Sequence, residues 1–292
     1  MLANKGYDVW FGNSRGNKHS RNHTTLNPDK NKEFWEFTFQ HMADHDLPAV
    51  LGYVHNLTQQ KMHYLGHSQG TIQMHIALSK RNPAVESHID RYFGFGPVAY
   101  VKNAKSHILT LLNNSPVLEW YHLRGIHEFM PSFGWFTTDI GIVFCSTFPK
   151  ICGDIMTQIM DGDASVDNYD RYDVLVGHDP SGTSVMNMEH WKQSLNHGTF
   201  QAYDYGSTRE NNAHYGQPYP PIYNLSNIRI PMHLFAGTSD LLADITDVNF
   251  LWDSLNSEVK SFLKVYNAGH CTFMWGIDVA PWMNDLFRML AE

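Results

Sequence analysis

Gly66-His67-Ser68-Gln69-Gly70 matches the pattern G-x-S-x-G, in which a serine projects from a sharp turn between a strand and a helix. The chemistry demands that shape. The hydroxyl must stand clear of the sheet to reach a carbonyl carbon. The backbone can fold that tightly only if its neighbours carry no side chain to collide. Gly66 and Gly70 meet that need, and the following helix points its first N–H groups at the reacting carbonyl. Two glycines and a serine often co-occur by chance, so context decides. Met62-His63-Tyr64-Leu65 reads as a strand, and Thr71 to Ser79 reads as a helix. Ser68 is therefore the expected nucleophile. Gln69, the next residue, is expected to offer its N–H to an oxyanion.

A serine hydroxyl needs a general base, and a histidine base needs an acid to hold its tautomer. Where the serine sits in such an elbow, the chain order is Ser, then Asp or Glu, then His. Gly237-Thr238-Ser239-Asp240 follows the strand-like run Pro231 to Gly237. That puts Asp240 in a turn at the carboxyl end of a strand, where open α/β sheets build their sites. Asp244 and Asp247 are close rivals, and Asp240 is the nearest to the strand; each could instead be an ordinary turn or N-cap aspartate. Gly269-His270-Cys271 follows another strand candidate, Phe262 to Tyr266, and precedes a C-terminal helix from about Ala280 to Leu290. Among 18 histidines, most are surface or core residues, but His270 occupies the place of the base. Cys271 reads as a small buried neighbour rather than a second nucleophile. Cys145 and Cys152 are close enough for one disulfide, no zinc spacing occurs, and neither metal nor cofactor is expected.

The elements around these residues follow from apolar spacing. Tyr7 to Phe11 reads as a short buried strand closed by Gly12-Asn13-Ser14-Arg15-Gly16. From Phe34 to Val54 apolar residues recur at helical spacing, and Pro48 marks a new helix start. Tyr92 to Phe95 is a strand closed by Gly96-Pro97. The order strand, tight turn, helix, strand implies a parallel α/β sheet. Between about 98 and 223 the alternation stops. Leu109, Leu112, Trp120, Phe129, Phe133, Trp135, Phe136 and Phe144 fall in clusters separated by Pro, Gly and Asn. The expected division is 1–97 as the first part of an α/β core, 98–223 as a mainly helical insertion above the sheet, and 224–292 as the second part.

Composition narrows the function. Of 292 residues, 29 are acidic and 21 basic, a net charge of −8. Phosphate binding relies on clustered Lys and Arg, so nucleic acid is excluded as the main partner. An aromatic content of 13% suits a packed core, and it also suits an apolar cleft for a greasy ligand. If many of the 18 histidines titrate near their ordinary value, the charge would rise by several units in an acidic compartment. The sequons at Asn22, Asn56, Asn114 and Asn224 favour a secretory route mildly. No signal peptide opens the chain, and no apolar stretch approaches a membrane span.

With these motifs in hand the sequence resembles the acid lipase family, the gastric and lysosomal acid lipases of the α/β-hydrolase fold. The likeness runs through Gly6-Tyr7-Asp8-Val9-Trp10-Phe11-Gly12-Asn13-Ser14-Arg15-Gly16, His63-Tyr64-Leu65-Gly66-His67-Ser68-Gln69-Gly70-Thr71, His178-Asp179-Pro180-Ser181-Gly182-Thr183-Ser184, Phe200-Gln201-Ala202-Tyr203-Asp204-Tyr205-Gly206 and Asp240-Leu241-Leu242-Ala243-Asp244. The resemblance implies an acid-tolerant enzyme that hydrolyses neutral lipid esters, triacylglycerol or steryl ester, at a lipid–water interface. It also implies that 98–223 is a cap with a mobile lid, that no protein partner is obligatory, and that the parent protein is secreted or lysosomal. Family members begin with a signal peptide, three further strands and a His-Gly oxyanion loop. Met1 falls where the family is already in the helix before its fourth strand. The family's third strand lies between the fourth and fifth, so the Tyr7 and Met62 strands would have unpaired edges, which is costly. The chain is accordingly expected to be a fragment or a mis-started gene. The rival reading is a non-catalytic lipid-binding remnant that keeps its site residues by descent.

Overall fold

Side chains that alternate between two covered faces build the central sheet. In the computed structural model, which describes residues 1–131 and 134–292, the strands in chain order are β1 (Met62–His67), β2 (Ile89–Phe95), β3 (Glu128–Phe129), β4 (Thr183–Ser184), β5 (Met232–Gly237) and β6 (Lys260–Tyr266). β1, β2, β5 and β6 lie side by side in that order, every pair parallel. Along β5, Met232, Leu234 and Ala236 enter one buried cluster with Ile76, Leu78 and Leu251 from flanking helices. Phe235 points the other way and joins Phe93, Phe95, Tyr266, Trp282 and Leu286. Along β5 both faces are thus apolar and covered, as the centre of a parallel sheet requires. The helices Gln69–Ser79 and Ile245–Ser254 carry the chain between successive strands.

Parallel alignment puts all four carboxyl ends on one edge. Gly66 pairs with Gly94, Gly94 with Leu234, and Gly237 with Tyr266, so the residues after each strand share one rim. The expected helix start at Pro48 is present, with Pro48 in the first turn of Leu47–Thr58.

The expected strand at Tyr7 to Phe11 does not form. The segment is irregular, Phe11 is 90% exposed, and among the described residues β1 pairs only with β2. An extended segment completes its backbone hydrogen bonds only beside another strand. None lies beside this one, and the cost that the sequence assigned to its unpaired edges is avoided by leaving the sheet.

Between β2 and β5 the chain is mainly helical. The helices are His107–Asn114, Val117–Leu123, Gly134–Thr147, Pro149–Ile159, Tyr172–His178, Val185–His197 and Thr208–Tyr215, joined by the antiparallel pair of β3 with β4. Cys145 and Cys152 form a disulfide across two of them, and Cys271 is free and buried. Phe133 lies outside the described residues, as do the side chains of Trp135 and Phe136. The sheet core depends on residues such as Leu234, which is fully buried. Leu234→Ala should cost about 2–5 kcal/mol, read as a lower urea midpoint at unchanged slope.

Candidate active site

β1 ends at His67, and the chain turns at once into the helix Gln69–Ser79. Ser68 holds the turn with φ 53° and ψ −122°, a strained region for a residue with a side chain. The turn is over-determined. Ser68 N–H donates to the Phe95 carbonyl at 3.1 Å, while Thr71 donates to the Ser68 carbonyl through both N–H, at 2.8 Å, and Oγ1, at 2.6 Å. Gly66 is required: a Cβ there would fall 3.1 Å from the Gly70 carbonyl oxygen. Tyr64 closes the elbow by donating its hydroxyl to that same carbonyl at 2.9 Å.

Asp240 and His270 meet where the sequence placed them, in the loops after β5 and β6. His270 Nδ1 lies 2.8 Å from Asp240 Oδ2 and 3.0 Å from Oδ1, and the side chains are 3% and 0% exposed. Burial disfavours the charged form of each group, yet the pair reverses that. Burial alone would lower the His270 pKa, but the charge and hydrogen bond of Asp240, with a smaller push from Asp161, raise it above 6.5. Burial would raise Asp240, but His270 and the N–H groups of Ala243 and Leu242, at 2.7 and 2.9 Å, pull it below its ordinary value. The carboxylate stays ionised and holds the imidazole in one orientation. The rivals have other duties: Asp244 caps the helix Ile245–Ser254 and pairs with Lys105 at 2.7 Å, and Asp247 accepts two hydrogen bonds from Asn103.

His67, which precedes Ser68, and Gly96, which follows the Phe95 that accepts the Ser68 N–H, both lie against His270. The next residue on β2's rim, Gly96 with φ +52°, sits so close that a Cβ would lie 3.0 Å from His270 Nδ1 and 3.1 Å from Asp240 Oδ2. His67 Nε2 lies 2.8 Å from the His270 carbonyl oxygen, with the two rings 4.7 Å apart. Burial, then the neighbouring His270, lowers the His67 pKa to about 4, so His67 is neutral and its N–H donates. His270 Nε2 is buried and has no hydrogen-bond partner among the described residues. Catalytic contacts to a serine hydroxyl commonly tighten only once substrate is bound. Gln69 is the first residue of its helix, where N–H groups lack an intrahelical acceptor. Its side-chain oxygen is pinned by Asn187 Nδ2 at 2.7 Å and Trp191 Nε1 at 3.0 Å.

The sequence reading missed Tyr64, His67, Gly96, Asn187 and Trp191. His67 is the variable position of the elbow motif, and Gly96 carried the one usable signal, a glycine directly at a strand's carboxyl end. His67→Ala would strip the buried His270 carbonyl of its donor. It should cost about 1–3 kcal/mol in stability and lower kcat more than it raises KM, measured by urea unfolding and ester hydrolysis.

The α/β hydrolase fold family matches residues 1–277. Human gastric triacylglycerol lipase is 39% identical over 297 residues, covering 100% of this chain and 73% of that one. Human lysosomal acid lipase/cholesteryl ester hydrolase is 39% identical over 285 residues, covering 97% and 70%. Bovine gastric triacylglycerol lipase is 37% identical over 304 residues. With the α/β sheet, the serine elbow and these likenesses together, the chain belongs to the acid lipases, a family of the α/β-hydrolase fold.

Proposed function

We propose that Ser68, His270 and Asp240 are the catalytic triad of a lipase acting on neutral lipid esters. The observation that carries this reading is the buried His270–Asp240 pair beside a serine elbow whose strain the surrounding hydrogen bonds enforce. His270 Nε2 takes the Ser68 proton as Oγ bonds to the ester carbonyl carbon. The oxyanion receives the Gln69 N–H, and the tetrahedral species collapses as His270 returns the proton to the departing alcohol. Water then gives a proton to His270, attacks the acyl-enzyme, and releases the fatty acid with Ser68 restored. Asp240 keeps its charge throughout and stabilises the imidazolium.

The substrate class follows from two supports. The relatives are named for triacylglycerol and for cholesteryl ester hydrolysis, at equal identity in the two human proteins. The proposed cap also carries exposed apolar side chains at helical spacing: Phe144, Phe148, Ile151 and Ile155 are 39%, 49%, 51% and 49% exposed. Such a surface suits contact with a lipid interface. Among the described residues no helix is long and apolar enough to cross a membrane. A secreted or lysosomal parent fits the relatives.

Ser68→Ala should lower kcat by on the order of a millionfold and abolish labelling by a fluorophosphonate. A variant that hydrolysed esters like the wild type would end this reading, and a wild-type chain that neither hydrolysed esters nor took the label would favour a non-catalytic lipid-binding protein. Asp240→Asn should lower kcat by about 10⁴-fold. Because burial then acts on His270 against only the smaller push of Asp161, the acid limb of its kcat/KM profile should move to lower pH.

A further inference from the structure

The segment 160–172 reaches both loops of the site. Its main chain pairs with the turn that holds Asp240: Gly162 N–H donates to Ser239 at 2.7 Å, and Leu241 N–H donates to Met160 at 3.2 Å. The Asp161 side chain crosses to the other loop, where Oδ1 accepts the Cys271 N–H at 2.9 Å. Gly269 makes room for it, since a Cβ there would fall 2.1 Å from that oxygen. Asp167 grips the same loop from the next turn. It accepts the Tyr172 hydroxyl at 3.0 Å and lies close enough to Thr272 for that residue to favour its charged form, while Thr272 Oγ1 accepts the Gly269 N–H at 2.8 Å. The main chain around it continues the seam, with Asn168 N–H donating to Trp275 and Ile277 N–H to Val166. His270 is thus held in a loop that Asp161 fastens at Cys271, that Thr272 Oγ1 closes on Gly269, and that the main chain on either side of Asp167 fastens beyond it.

Both carboxyls are fully buried, and no Lys or Arg pairs with either among the described residues. The titratable groups that face them are Asp163, Tyr169, Tyr172, Cys271, Asp240 and His270. Asp161 Oδ2 and Asp167 Oδ1 are buried without a hydrogen-bond partner among the described residues, and each carboxyl is close enough to perturb the other's titration. Two bare carboxylates in one dry site repel strongly, and one proton between them removes the conflict.

We propose that Asp161 and Asp167 share one proton and act together as positioning residues: that proton fastens the 160–172 segment to the His270 loop, and its loss unseats the loop and ends catalysis. The proposal rests on the triad reading above and adds an alkaline limit that the triad lacks. Burial, then the adjacent Asp167, raises the Asp161 pKa from 3.8 to about 8, and burial raises Asp167 as well. The sign follows from a folded pKa above the unfolded one. The pair's contribution is complete below about pH 4 and is lost as the pH rises towards 8.

Asp161→Asn preserves the acceptor for Cys271 N–H and offers Asp167 a permanent donor. Two measurements on the full chain test the proposal. In kcat/KM for a soluble short-chain ester, the wild type should fall by roughly tenfold per pH unit above about pH 8, while Asp161→Asn stays level. The second is modification of Cys271, the free thiol beside the pair, by a neutral disulfide reagent, which needs no catalysis. Above that pH the variant should react several-fold more slowly than the wild type. Loss of a nearby charge would by itself acidify the thiol and speed the reaction, so slower reaction reports a seated loop. Asp167→Asn should behave alike and serves if Asp161→Asn does not fold. An unshifted alkaline limb, or thiol reaction as fast as the wild type or faster, overturns the proposal. A wild-type chain that neither hydrolyses esters nor labels at Ser68 refutes the triad reading instead, and the thiol measurement still decides the carboxyl pair.

Discussion

The contact between Asp240 and His270 constrains everything at the carboxyl rim. Two ionisable groups with 0% and 3% of their side chains exposed persist only if each compensates the other, since an unpaired buried charge would be expelled or neutralised. The neighbouring strands supply that closeness. Gly237 pairs with Tyr266, and beyond them Thr238 and Ser239 donate to the Tyr266 and Ala268 carbonyls at 2.9 and 3.0 Å. The loops approach so closely that a Cβ on Gly237 would fall 2.3 Å from the Ala268 oxygen. Gly96 is required from the third side for the same reason. The two glycines are consequences of one ion pair and the space it must occupy.

The helical insertion is part of this constraint rather than a cover laid over it. Its helix Val185–His197 supplies Asn187 and Trp191, which fix the Gln69 side chain and with it the start of the elbow helix. Asn187 also accepts the Phe39 N–H at 2.7 Å, tying the insertion to the helical segment before β1. The segment around Asp161 fastens the opposite side, at the loops of Asp240 and His270. The disulfide-linked pair Gly134–Thr147 and Pro149–Ile159 precedes both of these attachments in the chain.

The sequence displayed the elbow, the parallel sheet and the order of Ser68, Asp240 and His270 because each depends on local grammar. A glycine pair flanks a serine, a strand precedes each loop, and Asp240 stands nearest its strand. It misplaced Tyr7 to Phe11 because strand propensity is local whereas a ladder needs a neighbour. It could not find Asp161 and Asp167, since nothing in an irregular stretch of Asp, Gly and Ser separates a buried carboxyl from a solvated one. His67 and Trp191 were hidden for a related reason: their roles come from contacts with residues 203 and 122 positions away.

The histidines illustrate how burial overturns composition. A chain with 18 of them invites the expectation of a large charge gain in acid. Burial instead lowers His41, His67 and His75 to about 4 and His190 to about 3. These four stay neutral in the folded chain where the unfolded chain would take up protons near 6.5. Their contribution to stability is complete above 6.5 and is lost as the pH falls towards 4. The carboxyl pair acts in the opposite sense, because there the native state holds the proton that the unfolded chain releases. Across that interval the two kinds of buried group oppose each other. Stability in acid is therefore opposed by these four core histidines and favoured by Asp161, Asp167 and His270, the buried groups in or beside the His270 loop whose pKa values are raised.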